Sequence, residues 1–369
     1  MNPKLKKIFG FLFIFLSVSA VVWIAFSNPE MKDAWKAFSS LKVPWMIGLL
    51  GCWLAYVLFE TGGIWAYLRG EGYRISLFRV LVTELVGLYY SNITPSAAGG
   101  QPMQVNSLRK AGIPLSHGTL ALTIRVVTNQ FMICLITLVL YLVNRDFVYN
   151  QLQGVIWFAR VGWLINFAAV PLVVLAAFRR KWIQALAEKL IRLGAKLRIV
   201  RNPEKLKEKT TETLDNYHES LMDLVHRPRQ ILLQLLCSGL SVLGLMGSVV
   251  FTYYAFGQSG TGWSKVLTLS FLLFVSASYT PLPGASGAQE GGFMRYFGGV
   301  FKDGTVNPAL LIWRFFTYYL SLIVGAFTLI VEKILLRKGI RKDPDELTAE
   351  EGGKATEEQA HGKQPETQL

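Results

Sequence analysis

Apolar residues fall in eight long runs, at about 8–27, 43–68, 77–93, 115–143, 154–178, 229–257, 264–281 and 305–336. Each approaches the ~20 residues that cross a bilayer core as a helix. The pattern predicts an all-α polytopic membrane protein with about eight transmembrane helices. Polar residues break it at three informative places. Residues 179–228 form an insert between the fifth and sixth runs. Two short segments, "SNITPSAAGGQP" from Ser91 and "SYTPLPGASGAQE" from Ser278, interrupt the apolar pattern with prolines, glycines and small polar residues.

Within the insert, Ile183, Leu186, Leu190, Leu193 and Leu197 recur every three or four residues, as do Leu214, Tyr217, Leu221 and Leu224. That is helix periodicity. Pro203 divides the two stretches, so a helical hairpin is expected. Residues 179–209 carry eleven Lys/Arg against three Glu. The charge reads two ways: as contact with an anionic leaflet, or as a solvated cytoplasmic hairpin that only sets topology. From Asp343 the chain holds eight Asp/Glu against two Lys and no apolar pattern. Residues 337–369 are therefore expected to be a disordered acidic tail, and 1–336 one transmembrane domain holding the insert.

Composition matters for what it excludes. With 52% hydrophobic and 17% charged residues, the chain lacks the charge that coats a soluble domain of this length. Cys52, Cys134 and Cys237 are odd in number and lie in apolar runs, which points to core packing and not to a disulfide framework. His117, His218, His226 and His361 lack metal-ligand spacing. No nucleotide-binding loop or nucleophile elbow occurs. No metal, cofactor or nucleic-acid partner is expected. The run behind "MNPKLKK" is followed by no A-x-A-like cleavage site and reads as an uncleaved first helix.

Charge also sets orientation, because short basic loops stay in the cytoplasm. Lys4, Lys6 and Lys7 put the N-terminus inside. Arg69 and Arg74, the insert, and Arg337, Lys338, Arg341 and Lys342 belong on the same side, which makes the C-terminus cytoplasmic too. Eight simple crossings would leave the insert outside. One extra crossing between the third and fourth runs repairs this, and a second after the seventh keeps the C-terminus inside. Those are the positions of the two Pro/Gly segments. Each is expected to cross or deeply penetrate the membrane as broken, re-entrant structure over 94–112 and 281–300. The two units then run in opposite directions, an inverted repeat of the kind transporters build around a central site.

The units share more than prolines. Arg125 follows Pro95 by 30 residues and Arg314 follows Pro281 by 33, each inside an apolar helix. Pro95, Pro102, Pro281 and Pro283 act as helix breakers, since proline removes a backbone donor. Glycine permits positive φ and close backbone approach. Non-helical backbone inside a bilayer is tolerated where it lines a protein cavity, and its freed amides suit an anion. An arginine at the bilayer centre costs about 2.5–3.5 kcal/mol on insertion scales, so it faces the interior and pairs. Its partner is Glu290, of its own half or the other, or a phosphate, which guanidinium binds in bidentate fashion. The bland alternative is that Gly and Pro are common in membrane helices and that Arg125 snorkels to a surface. The candidate headgroup site is Arg125, Arg314 and Glu290, with Asn92, Thr94, Ser96, Gly99, Gly100, Gln101, Thr280, Gly284, Ser286, Gly287 and Gln289. Glu60 and Glu84 rank behind these, as residues that fit equally well near a helix end.

The pattern N-x-T-P-S-x-x-G-G-x-P from Asn92 to Pro102, with P-x-P-G-x-x-G-x-x-E from Pro281 to Glu290 and the two arginines, resembles the flippase-like transmembrane region of lysylphosphatidylglycerol synthases. These are the bacterial multiple peptide resistance factors and their stand-alone relatives. The resemblance covers most of residues 8–336 in span layout. Full-length members resemble a fusion of this region to a cytoplasmic transferase that moves an amino acid from aminoacyl-tRNA to phosphatidylglycerol. The residues after 336 leave no room for that domain. The resemblance therefore implies lipid translocation in the cell membrane, of an anionic or aminoacylated phospholipid such as lysylphosphatidylglycerol, in the setting of antimicrobial peptide resistance. Transport would be passive or gradient-driven. The alternatives are the membrane part of a phosphatidylglycerol lysyltransferase and a carrier of a polyprenyl-phosphate or glycolipid. As a lipid-headgroup enzyme the chain would depend on Glu290, because Ser96 and Ser286 have no adjacent histidine. As a non-catalytic subunit it would recruit a separate aminoacyl transferase through the basic insert. Membrane phospholipids are the expected partners, with a transferase or a second copy of the chain as further ones.

Overall fold

The computed structural model describes residues 41–179, 184–185, 188–189, 191–192, 203–302 and 304–337. The expected span at 8–27, most of the insert's first helix and the acidic tail lie outside the described residues. In chain order the helices are α1 (Val43–Gly70), α2 (Leu77–Ile93), α3 (Gly100–Lys110), α4 (Leu115–Val143), α5 (Arg145–Gln151), α6 (Ile156–Phe178), α7 (Pro203–Val225), α8 (Pro228–Ala255), α9 (Trp263–Ala277), α10 (Ala288–Phe297), α11 (Val306–Arg314) and α12 (Leu320–Arg337). Among the described residues there is no strand.

Five stretches are long and apolar enough to cross a membrane: α1, α4, α6, α8, and α11 with α12 taken together. The outward faces leave Leu142, Leu164, Phe167, Leu172, Leu232 and Phe327 exposed, a surface matched to lipid chains and not to water. The runs at 77–93 and 264–281 behave differently. α2 and α9 have 17 and 15 residues, so they rise only ~22–26 Å, short of the ~30 Å hydrocarbon core. Each is the descending limb of a hairpin.

In the first hairpin α3 folds back along α2. Arg79 Nη2 donates to the Ser107 carbonyl at 3.4 Å, the Thr83 and Ser107 hydroxyls meet at 3.1 Å, and Gln104 Nε2 donates to Glu84 Oε2 at 2.7 Å. Gly100 permits the closest approach: a Cβ there would lie 1.9 Å from Ser91 Oγ and 2.9 Å from the Gly87 carbonyl. In the second hairpin α10 returns along α9, with the Ser276 and Tyr296 hydroxyls 2.7 Å apart. The extra crossings expected from charge are thus returns. The chain enters, breaks and comes back to the end it left, which changes the crossing parity as a full extra span would.

The hairpins enter from opposite ends. At one end Ile64, Leu68, Ile75, Leu108, Leu120 and Leu122 form a cluster onto which Leu221 and Leu224 of α7 dock. The insert's second helix therefore starts at Pro203 as expected and is fastened to the bundle. At the other end Val148, Leu152, Tyr253, Phe256, Phe297 and Phe301 gather α5, α8 and α10. α1 and α8 pack antiparallel between them. There a Cβ on Gly244 would sit 3.0 Å from the Cys52 carbonyl, the close helix approach that small residues permit in membranes. The unit α1, α2–α3, α4 and the unit α8, α9–α10, α11–α12 follow the same order of elements and run in opposite directions.

The structure corrects the register of that repeat. Short 3₁₀ turns occupy Pro95–Ala97 and Pro283–Ala285. Both contain consecutive left-handed residues, Ser96 (φ 51°) and Ala97 (φ 55°) in one, Gly284 (φ 61°) and Ala285 (φ 51°) in the other. Pro95 therefore corresponds to Pro283 and not to Pro281. In that register "PSAAGGQ" lies over "PGASGAQ", and the glycine-rich core, which otherwise matches loosely, agrees at Pro, Ala, Gly and Gln. Positive φ also falls partly on Ser96, Ala97 and Ala285, where glycine would be the expected choice.

Candidate functional site

The tips of the two hairpins meet. The turns Pro95–Ala97 and Pro283–Ala285 are in contact, and Tyr318 Oη donates to the Asn92 carbonyl at 3.1 Å across the two halves. α2 ends because Thr94 turns extended (φ −112°, ψ 145°) ahead of Pro95, the conformation a following proline imposes. Thr94 then staples the turn: its hydroxyl donates to the Tyr90 carbonyl at 2.6 Å and accepts from the Gly99 amide at 2.9 Å. In the second tip Ser286 Oγ donates to the Pro283 carbonyl at 2.8 Å. There the Gly287 amide donates to Glu290 Oε2 at 2.6 Å, so the N3 carboxylate closes the first turn of α10.

A cavity of about 480 Å³ opens beside these tips, at mid-height in the bundle. It is lined by Arg125 and Arg314 from the two halves, and by Asn92, Ser96, Thr280, Gly284 and Gln289 among the residues expected from sequence. Thr94, Gly99, Gly100, Ser286, Gly287 and Glu290 shape the tips without lining it, and Gln101 and Pro102 are exposed. Pro281 is exposed as well, upstream of the turn that Pro283 begins.

Neither arginine snorkels. The Arg125 side chain is only 11% exposed. Its Nη1 donates to Glu84 Oε2 at 2.6 Å, its Nη2 to Gln104 Oε1 at 2.9 Å, and its Nε lies 3.5 Å from Glu60 Oε2. Glu60 and Glu84 are 3% and 1% exposed. They are the primary partners of Arg125 and do not sit at helix ends. Glu60 is further held through Oε1, which accepts from Asn129 Nδ2 and Ser241 Oγ at 2.6 Å each. Arg314 pairs within its own half: Nε and Nη2 both lie 2.6 Å from Glu290 Oε1, and Nη2 donates to the Gly284 carbonyl at 3.1 Å. The Tyr318 ring covers its guanidinium at 4.8 Å. The helix widens to a π turn over Phe315–Tyr319 directly after Arg314, an irregularity common at functional sites.

Sequence reasoning underrated Glu60 and Glu84 and did not single out Gln104, Asn129 or Tyr318. Two of these were within reach of periodicity. Asn129 and Tyr318 each follow their arginine by four residues and so share its helix face. Gln104 depended on α3 folding back against α2, which no local pattern announces. Chemically the site offers two guanidiniums, three carboxylates and a ring of amides and hydroxyls. These are groups for holding a charged, polar head. No group of three or more His, Cys, Asp or Glu positioned to hold a metal occurs among the described residues.

A family model described as the lysylphosphatidylglycerol synthase TM region matches residues 8–325, a range that takes in both hairpins and both arginines. A protein described as a UPF0104 membrane protein, from Archaeoglobus fulgidus, is 24% identical over 327 residues, 84% of this chain and 93% of that protein.

Proposed function

The chain belongs to the lysylphosphatidylglycerol synthase transmembrane-region family, and from that membership and the central cavity we propose that it carries phospholipids with charged headgroups between the leaflets of the cell membrane, lysylphosphatidylglycerol foremost. One observation carries this reading: Arg125 and Arg314, from oppositely directed halves, line a single cavity with both hairpin tips. Its volume, about 480 Å³, lies in the ~300–1,000 Å³ range of ligand pockets. Guanidinium is the side chain best matched to a phosphodiester. α3 and α10 start at the hairpin tips, so their N-terminal dipole ends favour the same anion. A headgroup that displaces the carboxylates from the arginines leaves them free to meet an ammonium. Glu60, Glu84 and Glu290 outnumber the two arginines by one, which favours a headgroup with more amines than phosphates. A lysyl ester of phosphatidylglycerol has two amines and one phosphate.

The test is translocation of labelled lysylphosphatidylglycerol in liposomes containing the full chain. The rate should exceed that of empty liposomes. Equal rates overturn the proposal, and movement of plain phosphatidylglycerol alone overturns the choice of cargo.

The same reading puts the end that carries Arg69, Arg74, Arg109 and Lys110 in the cytoplasm, with the insert, by the excess of basic residues there. Cysteine at position 74 (Arg74→Cys) should react with an impermeant maleimide only after cells are opened. Asp146→Cys, at a side chain 89% exposed at the other end, should react on intact cells. The reverse pattern would invert the assigned topology.

A further inference from the structure

We propose that the carboxylate pair Glu60–Glu84 is a proton-binding site of the cavity, loaded when the cavity is empty and discharged when a cationic headgroup enters, so that cargo moves in exchange for a proton. The inference rests on the headgroup reading above and adds a second ligand and a driving force to it.

The argument begins with charge. Among the described residues Arg125 is the one guanidinium paired with these two carboxylates. The other titratable groups in their surroundings are Tyr56 of α1 and Cys237 of α8, a phenol and a thiol that carry no charge at pH 5–8. Gln104, Asn129 and Ser241 contribute only neutral hydrogen bonds. With both carboxylates ionised, the buried cluster would hold one uncompensated negative charge. Burying such a charge is costly enough that a group takes up a proton instead. Both carboxylates face the same guanidinium, so the proton is assigned to the pair and not to either residue.

Glu60 Oε1 accepts from both Asn129 and Ser241. Glu60 Oε2 is buried and accepts no hydrogen bond among the described residues; it faces Arg125 Nε at 3.5 Å, which is likewise without one. One oxygen of the pair thus lacks a donor that full ionisation of both carboxylates calls for, in keeping with a proton held by the pair. A metal cation at the same oxygen would face the Arg125 guanidinium 3.5 Å away, which disfavours sodium. Glu60 and Glu84 both line the cavity, so an ammonium in the cavity reaches the charge that the proton neutralises. When it arrives, the O–H bond of the acid breaks, the proton leaves to solvent, and the ammonium replaces it as counter-charge. Nothing is oxidised or reduced. Cargo and proton therefore compete for one site, which is the condition for coupled exchange.

The full-length protein in detergent is mixed with lysylphosphatidylglycerol in weakly buffered solution containing a pH indicator. Close to one proton should be released per lipid bound. Affinity should rise by up to about tenfold per pH unit across the window where the pair is protonated, as one-proton linkage requires. Glu60→Gln and Glu84→Gln each leave one carboxylate for one guanidinium, so either should remove that slope. The cargo's own amines titrate alike against all three proteins, so the difference between them isolates the pair. The release measurement on the unaltered protein stands even if a variant fails to fold. Binding with the same slope in all three proteins overturns the inference and leaves the headgroup reading intact, as does a slope in sodium concentration and not in pH. Absence of binding to the unaltered protein overturns both.

Discussion

Replacing Arg125 or Arg314 by alanine is expected to abolish lipid translocation, with a loss of at least about tenfold for each. A hydrogen bond to a charged group contributes about 1.5–3 kcal/mol, and each guanidinium carries more than one donor. The two variants should differ in folding. Arg125→Ala strands Glu60 and Glu84, both nearly fully buried, and breaking a buried pair typically costs about 3–5 kcal/mol. Arg314→Ala strands Glu290, which is 35% exposed and keeps its cap on the Gly287 amide, so it should express better. A matched control separates folding from transport. Arg125→Met combined with Glu60→Gln and Glu84→Gln leaves no stranded charge, and should fold yet stay inactive. Lysine at 125 or 314 should rescue only partly, since a point charge cannot replace a planar fork. Normal transport per folded molecule in an Arg125→Ala, Arg314→Ala double variant would rule out the arginines as headgroup ligands.

The second large effect belongs to Gly284. A Cβ there would lie 2.2 Å from the Tyr318 ring, and the backbone is left-handed at φ 61°. Gly284→Val should cost about 1–3 kcal/mol in overpacking and a further ~1–2 kcal/mol for a side chain in the left-handed region. It should also push Tyr318 off the Arg314 guanidinium and break the Tyr318 hydrogen bond to Asn92. Thermal unfolding in detergent and translocation should both fall. The corresponding residue of the other half gives the opposite sign. Ser96 already carries a side chain at φ 51°, so Ser96→Gly relieves that strain and should be neutral or slightly stabilising. Similar behaviour of the two variants would mean that the tips do not depend on backbone conformation in this way.

The sequence alone determined the elements. Hydropathy located α2 and α4 at their observed bounds, and α1, α6, α8 and the stretch from α11 through α12 to within two residues, because burial in lipid or protein selects continuous apolar runs whatever their neighbours. It located both breaks, because proline and glycine act on the backbone locally. It also required an odd number of reversals at each break, because basic loops must share a side. Tertiary structure decided the rest. Whether a 17-residue run crosses or turns back depends on what packs beside it, and α3 lies along α2 through contacts between residues 28, 24 and 20 positions apart. The register of the repeat was set by backbone dihedrals and not by the prolines alone. The partners of Arg125 came from α1, α2 and α3. An isolated glutamate in an apolar run has the same local signal whether it caps an end or neutralises a distant guanidinium. Only the fold brings Glu60, Glu84 and Arg125 to one point, where their charges fail to cancel.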